Sequence, residues 1–148
     1  MSQDFSRFLL REFVHWNLFI HRNQFPYLGR CYAWAKRDVD SVVEMNLHEN
    51  LELFREIIPL YDKAIKDFLG VNYGRLNLAV LGNESPHLHA HLIPRLSTTF
   101  TRYDISFSDP NPGGNYAPYP KKDFGDEFLM KIKTDLVQSI NGASQKPF

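Results

Sequence analysis

Two early segments of the chain alternate between apolar and polar positions, as extended strands do. The first covers Phe13–His21 and the second Arg30–Arg37, in which alternate residues from Cys31 onward share one face. The link between them is short and contains proline and glycine, so the two strands should pair antiparallel. Two further strands are predicted at Leu76–Val80 and in the histidine-rich segment that begins at His87.

Apolar positions that recur every three or four residues predict two main helices. The first begins at Asn46, where Glu49 completes a capping box, and ends at Gly70. Pro59 lies inside this pattern and should kink or split the helix, because proline lacks an amide donor. The second helix is predicted over Asp123–Ile140 and ends at the Asn-Gly pair that follows. The apolar stripe of the first helix comprises Leu47, Leu51, Phe54, Ile58, Tyr61, Ile65 and Phe68.

The remaining segments predict less regular structure. Ser2–Arg11 has the residue spacing of a short helix. Ser97–Lys122 is rich in proline, glycine, asparagine and tyrosine, which predicts a long ordered loop that acts as a lid, an interface arm or a mobile segment. Ala143–Phe148 should fray. Together the elements predict one α+β domain, with an antiparallel sheet of about five strands and the helices on one side.

The composition limits the classes of function. The chain has 17 basic and 17 acidic side chains, and this zero net charge argues against a broad surface for nucleic acid or membrane. Its N-terminal residues carry charges and no uninterrupted apolar stretch, so we expect neither a signal peptide nor a membrane span. The single cysteine, Cys31, allows no internal disulfide and suits a reducing cytoplasm. Its place in an apolar strand predicts a packed core thiol.

Three of the six histidines lie within five residues, at His87, His89 and His91. The residues between them are apolar, so on an extended strand the three imidazoles would share one face. A neutral imidazole is a good nucleophile near pH 7, and it can also exchange protons with phosphate oxygens. One interpretation of the three histidines is therefore a site for chemistry at phosphorus.

Two other interpretations of these histidines stay open. Zinc often takes three histidine ligands, so the segment could hold a metal. Alternate residues of a strand lie roughly 6.5–7 Å apart along the backbone, which weighs mildly against a metal bound by this strand alone. The rings could also be ordinary surface or core histidines with local hydrogen bonds.

The segment His87–Ile93 matches the His-φ-His-φ-His-φ-φ signature, where φ is apolar, and resembles the histidine triad (HIT) superfamily of nucleotide hydrolases and transferases. The similarity spans roughly Phe13 to Arg95 and is closest to a microbial branch related to dinucleoside-polyphosphate hydrolases. The resemblance implies a HIT-like α+β fold with an antiparallel sheet of about five strands and two main helices. A single domain over residues 1–148 would then contain the 13–95 core, the 97–122 loop and the 123–140 helix.

The resemblance also implies a mechanism. His89, the central ring, would attack the α-phosphate of a nucleotide and form a covalent nucleotidyl-histidine, which water or another acceptor then resolves. His91 would donate to a phosphate oxygen and assist the leaving group, and His87 would orient the other two rings by bonding a backbone carbonyl. Protonation of the nucleophile should make the activity fall below roughly pH 6.

Phosphate contacts are expected in the loop before the triad and just after the strand. Where the family often has Gly-Gln-Ser/Thr-Val, this chain keeps the glycine, has Asn83 for glutamine and Glu84 at the hydroxyl position. Asn83, Ser85 and Arg95 are the candidate phosphate-binding residues, and each could instead be a turn-forming or solvated residue. Glu84 should point outward, because it would repel phosphate. Asp38 is a second departure, since relatives commonly have histidine there.

The first two strands build the nucleoside pocket in HIT proteins, so apolar residues here would hold a base and a polar group would reach the ribose. Trp16, Trp34 and Phe19 could serve that pocket or be plain core aromatics. The expected substrate is a nucleotide or dinucleoside polyphosphate, with no cofactor required and magnesium as a possible counter-ion. A homodimer is expected from the resemblance alone, and a cytoplasmic location from the single cysteine. The alternatives are a metal-dependent hydrolase that uses the three histidines and a nucleotide-binding module with little turnover.

Overall fold

A five-stranded antiparallel sheet lies at the centre of the structure, a computed structural model that describes residues 3–145. Its strands are β1 Leu9–Glu12, β2 Trp16–Ile20, β3 Cys31–Ala35, β4 Tyr73–Ala79 and β5 His89–Leu96. They are arranged in the order β1-β2-β3-β5-β4. The sheet and its helices confirm the predicted α+β class, and β2 and β3 pair antiparallel as expected.

The N-terminal segment is where the fold departs most from the predicted helix over Ser2–Arg11. Gln3–Phe8 form a 3-10 helix, Leu9–Glu12 form β1, and Ser2 lies outside the described residues. The prediction was wrong for the strand because the helical spacing of a short apolar segment does not exclude an extended one. Pairing with β2 provides partners for backbone groups that would otherwise stay exposed at the sheet edge.

The two faces of the sheet have different environments. Cys31, Ala33 and Ala35 are buried in the core on the helix-covered face, whereas Tyr32 and Trp34 point to the opposite face and are half-buried. In the register of β3 and β5, the partner of Trp34 is His89 and that of Tyr32 is His91. The aromatic side chains and the histidines therefore share the face that the helices do not cover.

The first predicted helix is divided near its proline, as expected. It consists of α1 Leu47–Glu52, a π-helical turn at Leu53–Ile57 and α2 Ile58–Leu69, with Pro59 in the first turn of α2. A proline is tolerated there because the first amides of a helix have no partner within it. The capping box forms as predicted, with the Glu49 amide 2.8 Å from Asn46 Oδ1, and Gly70 ends α2 with a φ of +63°.

The buried face of this helical segment differs from the predicted stripe in its first half. Tyr61, Ile65 and Phe68 are buried, whereas Leu47, Leu51 and Phe54 are 67%, 38% and 46% exposed. The π-helical turn is the reason, because its wider turn advances each residue by a smaller angle and rotates the N-terminal part about the helix axis. Leu53 and Ile57 occupy the core positions instead.

The C-terminal third contains more regular structure than predicted. Within the expected loop, β6 Phe100–Arg102 and β7 Ile105–Phe107 form a hairpin, whose two turn residues have positive φ. The last helix, α3 Asp126–Ser144, continues through the Asn-Gly pair that was expected to end it. Residues 146–148 of the expected frayed end lie outside the described residues. In the described part of the chain, no helix has the length and apolar character needed to cross a membrane.

Candidate active site

The three predicted site histidines lie together at the start of β5. The strand begins at His89, so His87 precedes it rather than lying within it, and the His87 amide donates to Ser85 O at 2.8 Å. The rings of His89 and His91 are 5.0 Å apart between centroids. Trp34 stacks on the His87 ring at 4.2 Å, with an interplanar angle of 6°, and on the His89 ring at 5.3 Å. The side chain of Trp34 thus orients the first two imidazoles.

Backbone carbonyls determine which nitrogen carries the proton in the first two rings. His87 Nε2 lies 2.6 Å from Ala35 O, and His89 Nδ1 lies 2.6 Å from His87 O. A carbonyl oxygen can only accept, so each of these two nitrogens donates and each holds the ring proton. In the neutral ring of His89, the lone pair is therefore on Nε2. The free Nδ1 of His87 lies 3.9 Å from Oδ1 of the fully exposed Asp38.

His91 lies in a cationic and largely buried environment. Nη2 of Arg30 is 3.5 Å from His91 Nδ1, and the His21 ring lies 5.7 Å from the His91 ring. Burial, the Arg30 charge and the neighbouring His89 lower the pKa of His91 to about 4. His91 is therefore neutral at physiological pH.

Arg95 extends from β5 and has no free donor. Its guanidinium donates to both oxygens of Asp109, at 2.5 and 3.0 Å, and to the Asn77 side chain at 2.9 Å. The carbonyls of Gly114 and Asn111 accept the remaining two N–H groups. These contacts favour a role in holding the segment after β7 against the sheet, and they leave no donor for a phosphate in this arrangement.

Several solved structures share this arrangement of strands and helices. A hypothetical histidine triad nucleotide-binding protein from Sulfolobus tokodaii matches with a TM-score of 0.70 at 20% identity, over 94% of this chain and 87% of that one. A histidine triad protein from Marinobacter aquaeolei matches with a TM-score of 0.67 at 17% identity, over 97% and 96%. The chain has the histidine triad fold. This confirms the fold that the His87–Ile93 motif implied.

A third solved structure extends the comparison to a named hydrolase. The diadenosine triphosphate hydrolase of Plasmodium falciparum matches with a TM-score of 0.59 at 8% identity, over 99% of this chain and 80% of that one. No protein-family model matches the sequence, and the comparison with curated proteins finds no match.

Two residues of this histidine triad site were not among the predicted ones. His21, just after β2, accepts from the Asn23 amide through Nδ1, and burial with the nearby Arg30 charge lowers its pKa to about 2. Arg30 is only 3% exposed and lies just before β3. Their positions were the signal that the sequence offered, because both are polar residues at the ends of the paired strands β2 and β3. In the structure the His21 amide donates to Arg30 O at 3.0 Å.

The turn between β2 and β3 fixes the Arg30 backbone. Gln24 caps the turn, because its amide donates to Arg30 O at 2.8 Å and its Oε1 accepts from the Gly29 amide at 2.7 Å. Gly29 has a φ of +94°, and a Cβ at this position would lie 2.8 Å from Ile65 Cδ1. A glycine is needed there for both reasons. The Arg30 side chain is consequently delivered to the triad by a rigid turn.

The remaining predicted residues divide between the site and the core. Asn83, Glu84 and Ser85 are exposed in the loop before the triad, and Glu84 is therefore outward as expected. Trp16 belongs to the core, where its indole donates to Glu49 O, whereas Trp34 belongs to the site.

Two further observations concern the chemistry of the site. Asn17, the sheet partner of Trp34, has a buried Oδ1 for which the described residues provide no hydrogen-bond partner. Among residues 3–145, no group of three or more histidine, cysteine or acidic side chains has an arrangement that could hold a metal ion.

Proposed function

We propose that this protein is a nucleotide hydrolase or nucleotidyl transferase that acts at the α-phosphate through a covalent nucleotidyl-histidine. One observation carries the proposal: His87 O lies 2.6 Å from His89 Nδ1 and holds that nitrogen in its protonated form. In the neutral ring the lone pair is then on the other nitrogen, Nε2. A neutral imidazole needs no separate base to activate it, and this hydrogen bond fixes which of its two nitrogens can attack.

The reaction would proceed through two displacements at one phosphorus atom. His89 Nε2 forms a bond to phosphorus while the bond to the leaving-group oxygen breaks, and His91 donates a hydrogen bond to a phosphate oxygen. A water molecule or another acceptor then forms a new P–O bond, the P–N bond breaks, and His89 regains its lone pair while a proton passes to solvent. The expected fall in activity below roughly pH 6 stays a prediction.

The substrate class is supported by the aromatic side of the site and by the similar structures. Trp34 offers a stacking surface beside the triad, and the unpartnered Asn17 Oδ1 is a candidate acceptor for a ribose hydroxyl. Asn83 and Ser85, exposed in the preceding loop, are the proposed phosphate contacts. Because one similar structure is a diadenosine triphosphate hydrolase, we propose dinucleoside polyphosphates as the first substrates to test, with magnesium as their counter-ion.

The assembly and location of the protein are proposals as well. Leu47 and Leu51 on α1 and Phe54 in the π-helical turn after it form an apolar stripe that remains exposed in one chain, and a second copy of the chain would cover it. A homodimer is therefore proposed. The buried, unpaired Cys31 is compatible with a reducing compartment, and we propose a cytoplasmic location.

The test is turnover of diadenosine polyphosphates, an adenosine phosphoramidate and a nucleotide sugar, each with and without EDTA. His89→Ala should lower kcat at least about 10³-fold, as loss of a nucleophile does. The matched control is His48→Ala, which removes an exposed ring on α1. Wild-type protein quenched in alkali during turnover should carry one nucleotidyl group by mass spectrometry.

The possible results separate the competing functions. Mononucleotide release that persists in EDTA and is lost with His89→Ala supports the proposal. Full activity of His89→Ala would contradict it. Activity lost in EDTA, together with metal found by elemental analysis, would favour the metal-dependent hydrolase. Tight nucleotide binding without release from any substrate would favour a binding module.

A further inference from the structure

Arg30 is a buried cation whose surroundings are aromatic rings and imidazoles rather than carboxylates. Its guanidinium carbon lies 5.4 Å from the Tyr116 ring centroid and 5.3 Å from that of Tyr119, and Nη1 donates to the Tyr119 hydroxyl. Nη2 is directed to His91 Nδ1 at 3.5 Å. Within residues 3–145, Arg30 forms no ion pair with a carboxylate, and its buried Nε has no hydrogen-bond partner. Burial of an unpaired charge is costly, so this arrangement points to a role other than stability.

We propose that Arg30 is a positioning residue that holds His91 as its neutral Nε2–H tautomer, and that the segment Tyr116–Tyr119 holds Arg30 in place. The proposal rests on the proposed function. A guanidinium has five N–H donors and no acceptor, so the His91 nitrogen that faces it must present a lone pair. The proton of His91 is then on Nε2, where it can be donated to a phosphate oxygen.

The hydrogen-bond partners of His89 and His91 therefore fix opposite tautomers, because one partner is an acceptor and the other is a donor. An acceptor, His87 O, faces Nδ1 of His89 and leaves Nε2 unprotonated, whereas a donor, Arg30, faces Nδ1 of His91 and leaves Nε2 protonated. One ring thus provides the lone pair for attack and its neighbour provides the hydrogen-bond donor. Neither ring has to be protonated to an imidazolium for this role.

The groups around His91 keep it neutral. It is faced by Arg30 from the turn before β3, His21 after β2, Tyr32 on β3 and His89 on β5. None of these groups is acidic enough to carry a negative charge at neutral pH, so nothing among them would stabilise a proton added to His91. Burial and the Arg30 charge accordingly lower the pKa of His91 to about 4.

Tyrosine side chains connect this arrangement to the segment after β7. Tyr27 donates to Tyr116 O at 2.5 Å and packs against the Tyr119 ring at 5.4 Å. Arg95 holds the same segment through Asp109 and Asn111. This irregular segment therefore keeps Arg30 against His91 and excludes water from the guanidinium.

The experiment reads the tautomer of His91 directly by two-bond ¹H–¹⁵N NMR of labelled protein, assigned with His91→Gln, and it needs no substrate. Wild type should show a neutral ring protonated at Nε2 that titrates near pH 4. In Arg30→Met, the tautomer should become mixed and the pKa should rise toward its ordinary value of about 6.5. The acid side of the activity profile should move to higher pH, and kcat should fall at least about tenfold with a smaller change in KM.

Conservative and control variants separate positioning from a general loss of structure. Arg30→Lys keeps a donor-only cation, so it should retain the Nε2–H tautomer and recover part of kcat. Tyr119→Phe keeps the ring but removes the hydroxyl that accepts from Arg30, and it should lower kcat about threefold or more in the same direction. Arg102→Met is the matched control, because Arg102 also stacks on aromatic rings, Phe68 and Tyr103, but pairs with Asp135 on the helix side.

The inference is overturned if His91 carries its proton on Nδ1 in the wild type, or if Arg30→Met changes neither tautomer nor pKa. Should Arg30→Met fail to fold, Tyr119→Phe decides, and an unchanged His91 signal and kcat there would also overturn it. Absence of turnover in the wild type would contradict the proposed function alone, because the NMR signal reports on His91 without any substrate.

Discussion

At the scale of single residues, hydrogen-bond partners give chemically identical neutral rings different tautomers. His87 and His89 donate to backbone carbonyls, whereas the Nδ1 of His91 faces a guanidinium. The partner fixes the tautomer because each ring has one proton to share between two nitrogens when it is neutral. Roles within the triad are therefore assigned by residues that the motif itself does not include, among them Arg30.

Buried neutral histidines should also make the protein less stable in acid. Folding lowers the pKa of His21 to about 2 and that of His91 to about 4, from ordinary values of about 6.5. Below about pH 6.5 the unfolded chain therefore binds protons that the folded chain does not, so the free energy of unfolding should fall as the pH falls. The loss of unfolding free energy that His91 causes should reach its full size near pH 4, and the loss that His21 causes should do so near pH 2.

Urea unfolding at pH 7 and pH 5 tests this for His21→Asn. The Asn side chain can still accept from the Asn23 amide, but it has no proton to gain, so the stability loss between the two pH values should be smaller than in wild type. His48→Asn, which replaces an exposed ring, should keep the wild-type profile. An equal loss in His21→Asn and wild type would contradict the assignment.

At the scale of elements, one strand carries both the candidate catalytic histidines and the arginine that holds the segment after β7. β5 presents His89 and His91 near its start and Arg95 near its end, all on the same face. Arg95 and Asp109 form a salt bridge in which the two side chains are 8% and 2% exposed. Removing one partner of a buried ion pair is strongly destabilising, so this pair should hold the segment after β7 in place.

Asp109→Asn should lower the free energy of unfolding by about 3 kcal/mol, because it leaves the Arg95 charge buried without its counter-charge. Urea unfolding at pH 7 measures the loss, and limited proteolysis should show earlier cleavage between β7 and α3. Glu12→Gln is the matched control, since Glu12 pairs with Lys36 at the surface and should matter little. A loss no larger than in this control would show that the segment is held by other contacts.

At the scale of the whole molecule, a single chain leaves part of its apolar surface exposed to solvent. Leu47, Leu51 and Phe54 lie at helical spacing and face solvent, and β4 is an edge strand of the sheet. Exposed apolar side chains at regular spacing on one helix face are typical of an interface. This supports the proposed homodimer more directly than the resemblance does.

The double variant Leu51→Glu with Phe54→Glu should convert the dimer to a monomer, because two carboxylates would be buried without partners at the interface. Sedimentation equilibrium or light scattering after gel filtration measures the mass. Val71→Glu is the control, since Val71 is 93% exposed but lies beyond the end of α2. A wild-type protein that is monomeric at micromolar concentration would contradict the proposal.

The sequence by itself determined much of the fold. Alternation located β2, β3 and the triad strand, and the Asn46 capping box, Pro59 and Gly70 marked the first helical segment correctly, because these signals act through neighbouring residues. Three histidines at alternate positions marked the candidate site for the same reason. The departures, at β1, the β6–β7 hairpin and the rotated face of α1, concern short segments, in which few residues carry a pattern and packing decides the conformation.

Only the tertiary structure decided how the site is assembled. Arg30 and His21 reach His91 through strand pairing and a turn, and Arg95 is engaged by Asp109 from a segment 14 residues away. Trp16 and Trp34 look alike in the sequence, yet one packs in the core and the other stacks on the triad. Such differences depend on what packs against each face of the sheet, and nearest-neighbour patterns contain no information about that.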